Sequence, residues 1–290
     1  MSHSLGILLA FVALISWGFG DFFIQKTVRI IGSWKALFCI GIVGLFGLFP
    51  FVVNDLARLD STDFILLGLL GLVVVFASLF DFEALRQGKI SIIEPIIGLE
   101  LPIVVGLSVT LTRESITSAQ LFLMGVVFVG IVSAVTTHYT HLHYHKRIFE
   151  KGAILAGVGA IGMALTDFLV GVSSREISPL MAIWFAHSFL TIICGLRLFS
   201  RGETVSLVSD IRKHPGPIVG QSILDNLAWV TFGFATTAIP IAITTTIVES
   251  YIALTVLLGL FVNREKLKPH QLIGVIMAIA GVIALAYFSF

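Results

Sequence analysis

The sequence predicts an all-α membrane protein of ten transmembrane helices arranged as two inverted five-helix repeats. Three observations carry that reading. Of 290 residues, 57% are hydrophobic and 12% charged, about half the ~25% charged residues usual for a soluble domain. The apolar residues gather into runs about as long as the ~20 residues that cross a bilayer core, with short polar breaks between them. The second half of the chain also repeats the first at a nearly constant offset.

The first apolar run, Leu5 to Gln25, stops before Lys26. It lacks a basic leader and an A-x-A cleavage site, so it reads as a retained span rather than a signal peptide. Trp34 to Val53 and Phe64 to Phe82 flank a polar stretch containing Arg58. Ile90 to Leu111 ends at Arg113-Glu114, and Ala119 to Val135 ends at the polar stretch Thr136 to Lys151. Gly152 to Val172 stops before Arg175, and Pro179 to Leu198 before the longest gap, Phe199 to Gly216. Pro217 to Phe234, Ile239 to Val262 and Pro269 to Phe288 complete the set, the last two separated by Arg264-Glu265. A transmembrane barrel would alternate polar and apolar residues over ~10-residue strands; continuous apolar runs suit helices, which satisfy their own backbone hydrogen bonds in lipid. The gaps are too short for an extramembrane domain.

An offset of 146 superposes Gly6 on Gly152, Ala10 on Ala156, Gly18 on Ala164, Asp21 on Asp167 and Phe22 on Phe168. An offset of 151 superposes Arg113-Glu114 on Arg264-Glu265, Gln120-Leu121 on Gln271-Leu272, and Gly130-Ile131-Val132 on Gly281-Val282-Ile283. The repeats are therefore residues 1–136 and 152–290, joined by a loop over 137–151. Five helices is an odd number, so the second copy enters the membrane from the opposite side. Inverted repeats are a recurrent architecture of alternating-access transport, with the substrate site near the midplane at the repeat interface.

The run Trp17-Gly18-x-x-Asp21-Phe22 followed by Lys26 resembles the first helix of the EamA family within the drug/metabolite transporter superfamily. The turns at Glu114 and Glu265, each followed by Gln-Leu and a glycine-bearing helix, are similar to the ends of the two EamA repeats. The resemblance covers essentially the whole chain. It implies a ten-helix permease with a central cavity, from a family that moves amino acids, metabolites, sugars or nucleotide sugars. Many members carry a Glu-Pro pair about fourteen residues before the turn glutamate. Here the first half has Glu94-Pro95 and Glu100-Leu101-Pro102, whereas the second has Tyr251-Ile252 with Glu249 just before it, a departure from the family pattern.

An ionisable side chain at mid-bilayer costs roughly 2.5 to 3.5 kcal/mol on insertion scales, so each one needs a partner, a cavity or a function. Glu100 and Glu249 lie near the middle of the fourth and ninth segments and are the first candidates for binding a substrate amine, a cation or a proton. The alternative is a hydrogen bond that ties helices together. Glu94 competes with Glu100: the two lie about 120° apart around a helix, and the 151 offset puts Glu249 on Gly98, nearer the face of Glu94. In the eighth segment Gln221, Asp225 and Trp229 form a stripe at i, i+4, i+8, with Ser222 and Asn226 beside it, which is either a substrate wall or a buried helix–helix network. Asp21 and Asp167 occupy equivalent positions toward the far ends of their spans. They are interfacial residues or gates, and Trp17 lines the cavity or the interface.

Small residues at four-residue spacing, Gly152, Ala156, Ala160 and Ala164, favour close helix packing. His138, His141, His143 and His145 read as a solvated loop rather than a metal site, and His187 as a hydrogen-bonded core residue. Cys39 and Cys194 stand alone in apolar runs, so no metal, haem or other cofactor is expected. The net charge of +1 argues against nucleic acid as a partner; the expected partners are a small-molecule substrate and the lipid bilayer. No ATP-binding glycine loop or nucleophile motif occurs, which favours secondary transport over enzymatic activity. Two further readings stand beside the carrier: an intramembrane enzyme acting on a lipid-linked substrate, using the stretch with Arg201, Arg212, Lys213 and His214, and a non-transporting scaffold. Three basic residues (Arg58, Arg113, Arg175) fall on the side of the termini and the other fifteen opposite. The positive-inside rule thus places both termini outside the cytoplasm of a multi-pass cell-membrane protein.

Overall fold

The computed structural model of the chain describes residues 1–87, 93, 96–136, 151–262 and 268–289, and every regular element among them is helical. Glu94, the four loop histidines and the Arg264-Glu265 turn lie outside the described residues. The first repeat supplies α1 (His3–Ile31), α2 (Ser33–Val52), α3 (Ser61–Gln87), α4 (Glu100–Leu111) and α5 (Ser118–Val135). The second supplies α6 (Lys151–Glu176), α7 (Pro179–Ser200), α8 (Thr204–Lys213), α9 (Pro215–Thr236), α10 (Ile241–Glu249), α11 (Tyr251–Val262) and α12 (Pro269–Tyr287).

Several ends are set by local chemistry. Ser2 caps α1 by accepting from the Leu5 N–H at 3.3 Å. Gly32, at φ +83°, turns α1 directly into α2, a conformation only glycine adopts without strain. Thr117 and Gln120 form a reciprocal capping box at the start of α5. The gap between the seventh and eighth expected segments is filled by α8, whose buried Leu207 packs with Ile31, Cys39, Leu198 and Ile218, and whose Asp210 pairs with Lys35 at 2.7 Å.

Eight stretches among the described residues are long and apolar enough to cross a bilayer. The two expected segments outside that set are the fourth, whose described helix is Glu100–Leu111, and the eighth, diluted by Gln221, Asp225 and Asn226. Two expected continuous helices are also interrupted. The ninth breaks at Ser250, between α10 and α11, and the fourth passes through a turn at Gly98 and Leu99 before α4 begins. Under the offset of 151, Gly98-Leu99 falls on Glu249-Ser250, so the breaks are equivalent in the two repeats. Hydroxyls help to make the second one: Thr246 Oγ1 donates to Ala242 O at 2.7 Å and Ser250 Oγ to Ile247 O at 2.6 Å, drawing carbonyls away from the helical ladder.

The packing follows the repeat. α1 lies against α9 and α3 against α6, contacts that exchange when the two halves are exchanged, while α2 packs on α7 and α5 on α12. Without a hydrophobic drive in lipid, such contacts depend on close approach of small residues. A Cβ on Gly162 of α6 would lie 2.8 Å from the Ala77 Cβ of α3, and one on Gly130 of α5 would lie 2.6 Å from the Ala278 N of α12. Ala156, Ala160 and Ala164 are buried on α6, while Phe46, Phe76 and Phe122 lie on the exposed periphery.

Candidate functional site

The helices surround a cavity of about 80 Å³. Six carboxyl side chains line it: Asp21 from α1, Asp81 from α3, Glu100 from α4, Asp167 from α6, Asp225 from α9 and Glu249 from α10. His187, Trp17, Trp229 and Tyr251 join Ser78, Thr166 and Phe82 in its polar and aromatic wall, and none of the described lining residues is Lys or Arg.

The two helix breaks and one long helix bring three of these acids together. Glu100 is the first residue of α4, Glu249 the last of α10, and Asp167 lies in the second half of α6. One carboxylate oxygen from each lies within 4.8 Å of the others, and exposures of 4%, 4% and 1% keep all three from bulk solvent. Like charges at that spacing cannot coexist uncompensated, so the cluster requires a cation or shared protons. Such oxygen donors suit an ammonium group or a hard metal ion. Asp167 was expected toward the far end of its span. It nonetheless lies in the cavity wall, because α6 runs on to Glu176, past the expected end of the span at Val172.

A second group lies on the α1–α9 side. Trp17 Nε1 donates to Asp225 Oδ1 at 3.3 Å, and His187 Nε2 lies 3.8 Å from Asp225 Oδ2. The Trp17 ring meets Trp229 edge-on at 4.8 Å and Tyr251 at 6.2 Å. His187 Nδ1 is 2.8 Å from the Ile183 carbonyl; since a carbonyl only accepts, Nδ1 carries the proton and Nε2 turns to Asp225. The polar stripe of the eighth segment divides. Asp225 and Trp229 line the cavity, whereas Gln221 Nε2 donates to Ala36 O at 3.2 Å and Asn226 Nδ2 to Ile40 O at 3.1 Å, tying α9 to α2.

Asp21 lines the cavity and accepts from Gln25 Nε2 at 3.0 Å. Its charged neighbour is Asp81, a residue absent from the sequence candidates. Asp81 stands one residue before the expected end of the third segment at Phe82, and α3 continues past it to Gln87.

Another arrangement missed in the sequence joins the two repeats where α6 ends and α10 begins. Glu114 accepts from Ile241 N at 2.7 Å and Ala242 N at 3.0 Å, capping α10. Arg175, at the end of α6, pairs with the same carboxylate at 2.7 Å and donates to Thr236 O and Ile239 O. The repeated Arg-Glu turn was the available signal, but sequence alone does not show which helix N-terminus the glutamate reaches.

These features define a class: a polytopic helical membrane protein built from two repeats around a buried acidic cavity. The sequence profile of the EamA-like transporter family matches residues 4–136 and 150–287. The chain belongs to that family, part of the drug/metabolite transporter superfamily, whose members are generally transporters rather than enzymes. A crystal structure superposes on it with a TM-score of 0.70 at 16% identity, covering 99% of this chain and 98% of the other, a likeness of fold. No curated protein matches by sequence.

Proposed function

We propose that this protein is a secondary transporter that moves a small polar metabolite across the cell membrane by alternating access between two inverted repeats. The observation that carries the reading is the Glu100–Asp167–Glu249 cluster. Both repeats contribute to it, and it sits where an interrupted helix of each repeat meets α6. Discontinuous helices that converge on buried charge at mid-depth are how carriers expose one site to either side by rocking one repeat against the other. A cavity of about 80 Å³ is smaller than the ~300 Å³ at which pockets for drug-sized ligands begin, which suits a small solute. Ammonium-bearing metabolites, amino acids among them, match the carboxyl groups. The intramembrane enzyme has weaker support, since Arg212, Lys213 and His214 lie at the α8–α9 junction and none of them lines the cavity.

Reconstitution into liposomes with a panel of radiolabelled amines, amino acids and sugars, with and without a pH gradient, tests the proposal. Saturable counterflow of at least one solute is expected. Absence of flux for every solute, from protein that retains its size-exclusion profile, would overturn the carrier reading.

A further inference from the structure

Resting on the carrier reading, we infer that the cavity recognises a primary ammonium group on a solute without a carboxylate: a short alkyl amine rather than an amino acid. Oxygens of Glu100, Asp167 and Glu249 within 4.8 Å of one another let a nitrogen in their midst reach all three at about 2.8 Å, the length of a charge-assisted hydrogen bond. An alkylammonium has three N–H donors, one for each carboxylate. A hard metal ion, which prefers roughly 2.0 to 2.6 Å, is the competing occupant that the inorganic-cation arms below test.

A second, independent group asks for a donor as well. His187 is 2% exposed, and its Nε2 has no hydrogen-bond partner. With Nδ1 turned to Ile183 O, Nε2 faces the Asp225 carboxylate at 3.8 Å. A ligand N–H that reaches this part of the wall has the Asp225 carboxylate to accept it.

The rest of the wall offers a carboxylate no cationic partner. None of the described lining residues is Lys or Arg, whereas Asp21, Asp81 and Asp225 add three further acids, so the α-carboxylate of an amino acid meets like charge without compensation. The Trp17, Trp229 and Tyr251 rings instead offer π faces and apolar edges to an alkyl tail or its cationic head. The cavity of about 80 Å³ is about half the ~150 Å³ that admits benzene, so it holds an ammonium with a few carbons.

Isothermal titration of the full-length protein in detergent, using each amino acid beside the amine left by its decarboxylation, tests the inference: glycine with methylamine, alanine with ethylamine, ornithine with putrescine. Sodium and manganese chlorides serve as further arms. The amine of a pair is expected to bind at least tenfold more tightly than its parent, with binding lost in Glu249→Gln. If that variant does not fold, the wild-type pairs decide. Equal or tighter binding of the amino acids, no binding of any amine, or binding of an inorganic cation alone would overturn the inference. The two proposals fail separately: amine binding without counterflow sinks the carrier and leaves the ammonium site, whereas amino-acid flux without amine binding does the reverse.

Discussion

Arg175 holds the Glu114 carboxylate at 2.7 Å while that carboxylate caps the first two N–H groups of α10. One side chain of the first repeat thereby fixes both the end of α6 and the start of the half-helix that carries Glu249. The glutamate is 6% exposed, and the carboxylate complements the positive end of the α10 dipole as well as the guanidinium.

Removing the arginine leaves a buried carboxylate facing only two N–H groups, and breaking buried pairs costs about 3 to 5 kcal/mol. Since Arg175 is 29% exposed, Arg175→Gln is expected at or below the lower end of that range. A lower melting temperature in detergent, and faster alkylation of a cysteine placed at Ala242, are the readouts. An unchanged melt and unchanged labelling would show that the pair does not hold this junction together.

Glu249→Gln removes one of three clustered carboxylates but keeps the side-chain volume. Counterflow is expected to be abolished while expression and size-exclusion behaviour stay at wild-type level. Asp167→Asn should behave alike, because its oxygen belongs to the same cluster. Retained flux in either variant would take that residue out of the site.

The α9 stripe gives an opposite pair of outcomes. Asn226→Ala breaks the hydrogen bond to Ile40 O and is expected to lower stability by about 1 kcal/mol with transport per folded molecule retained. Asp225→Asn should depress transport with less effect on melting, since Asp225 faces the cavity. Parallel losses in both variants would mean the stripe acts as one structural network.

Gly162→Leu would drive a side chain into Ala77, where even a Cβ lies at 2.8 Å. Overpacking typically costs about 1 to 3 kcal/mol, and more where backbone must move. Loss of the monodisperse size-exclusion peak is expected, whereas Gly47→Leu, where a Cβ meets nothing within 4 Å, should retain it.

A disulfide-requiring reporter enzyme fused after Phe290 is expected to be active if the termini lie outside the cytoplasm, as the skew of basic residues proposes. An inactive fusion that is fully expressed reverses the orientation.

Much of this molecule was legible in its sequence because lipid imposes a one-dimensional rule: apolar runs must be helical, and each charge inside one must be accounted for. Length and composition marked the helical segments, the offsets of 146 and 151 exposed the repeat, and the rarity of intramembrane acids singled out Glu100, Asp167, Asp225 and Glu249. Tertiary structure alone decided their grouping. Asp167 and Asp81 joined the cavity wall on helices, α6 and α3, that continue past their hydrophobic stretches, and Glu100 and Glu249 met where both of their helices break. Asn226 turned instead to a backbone carbonyl of α2. Hydropathy records how deep a residue sits along one helix; which neighbour it faces depends on how far that helix extends, where it breaks and what packs against it.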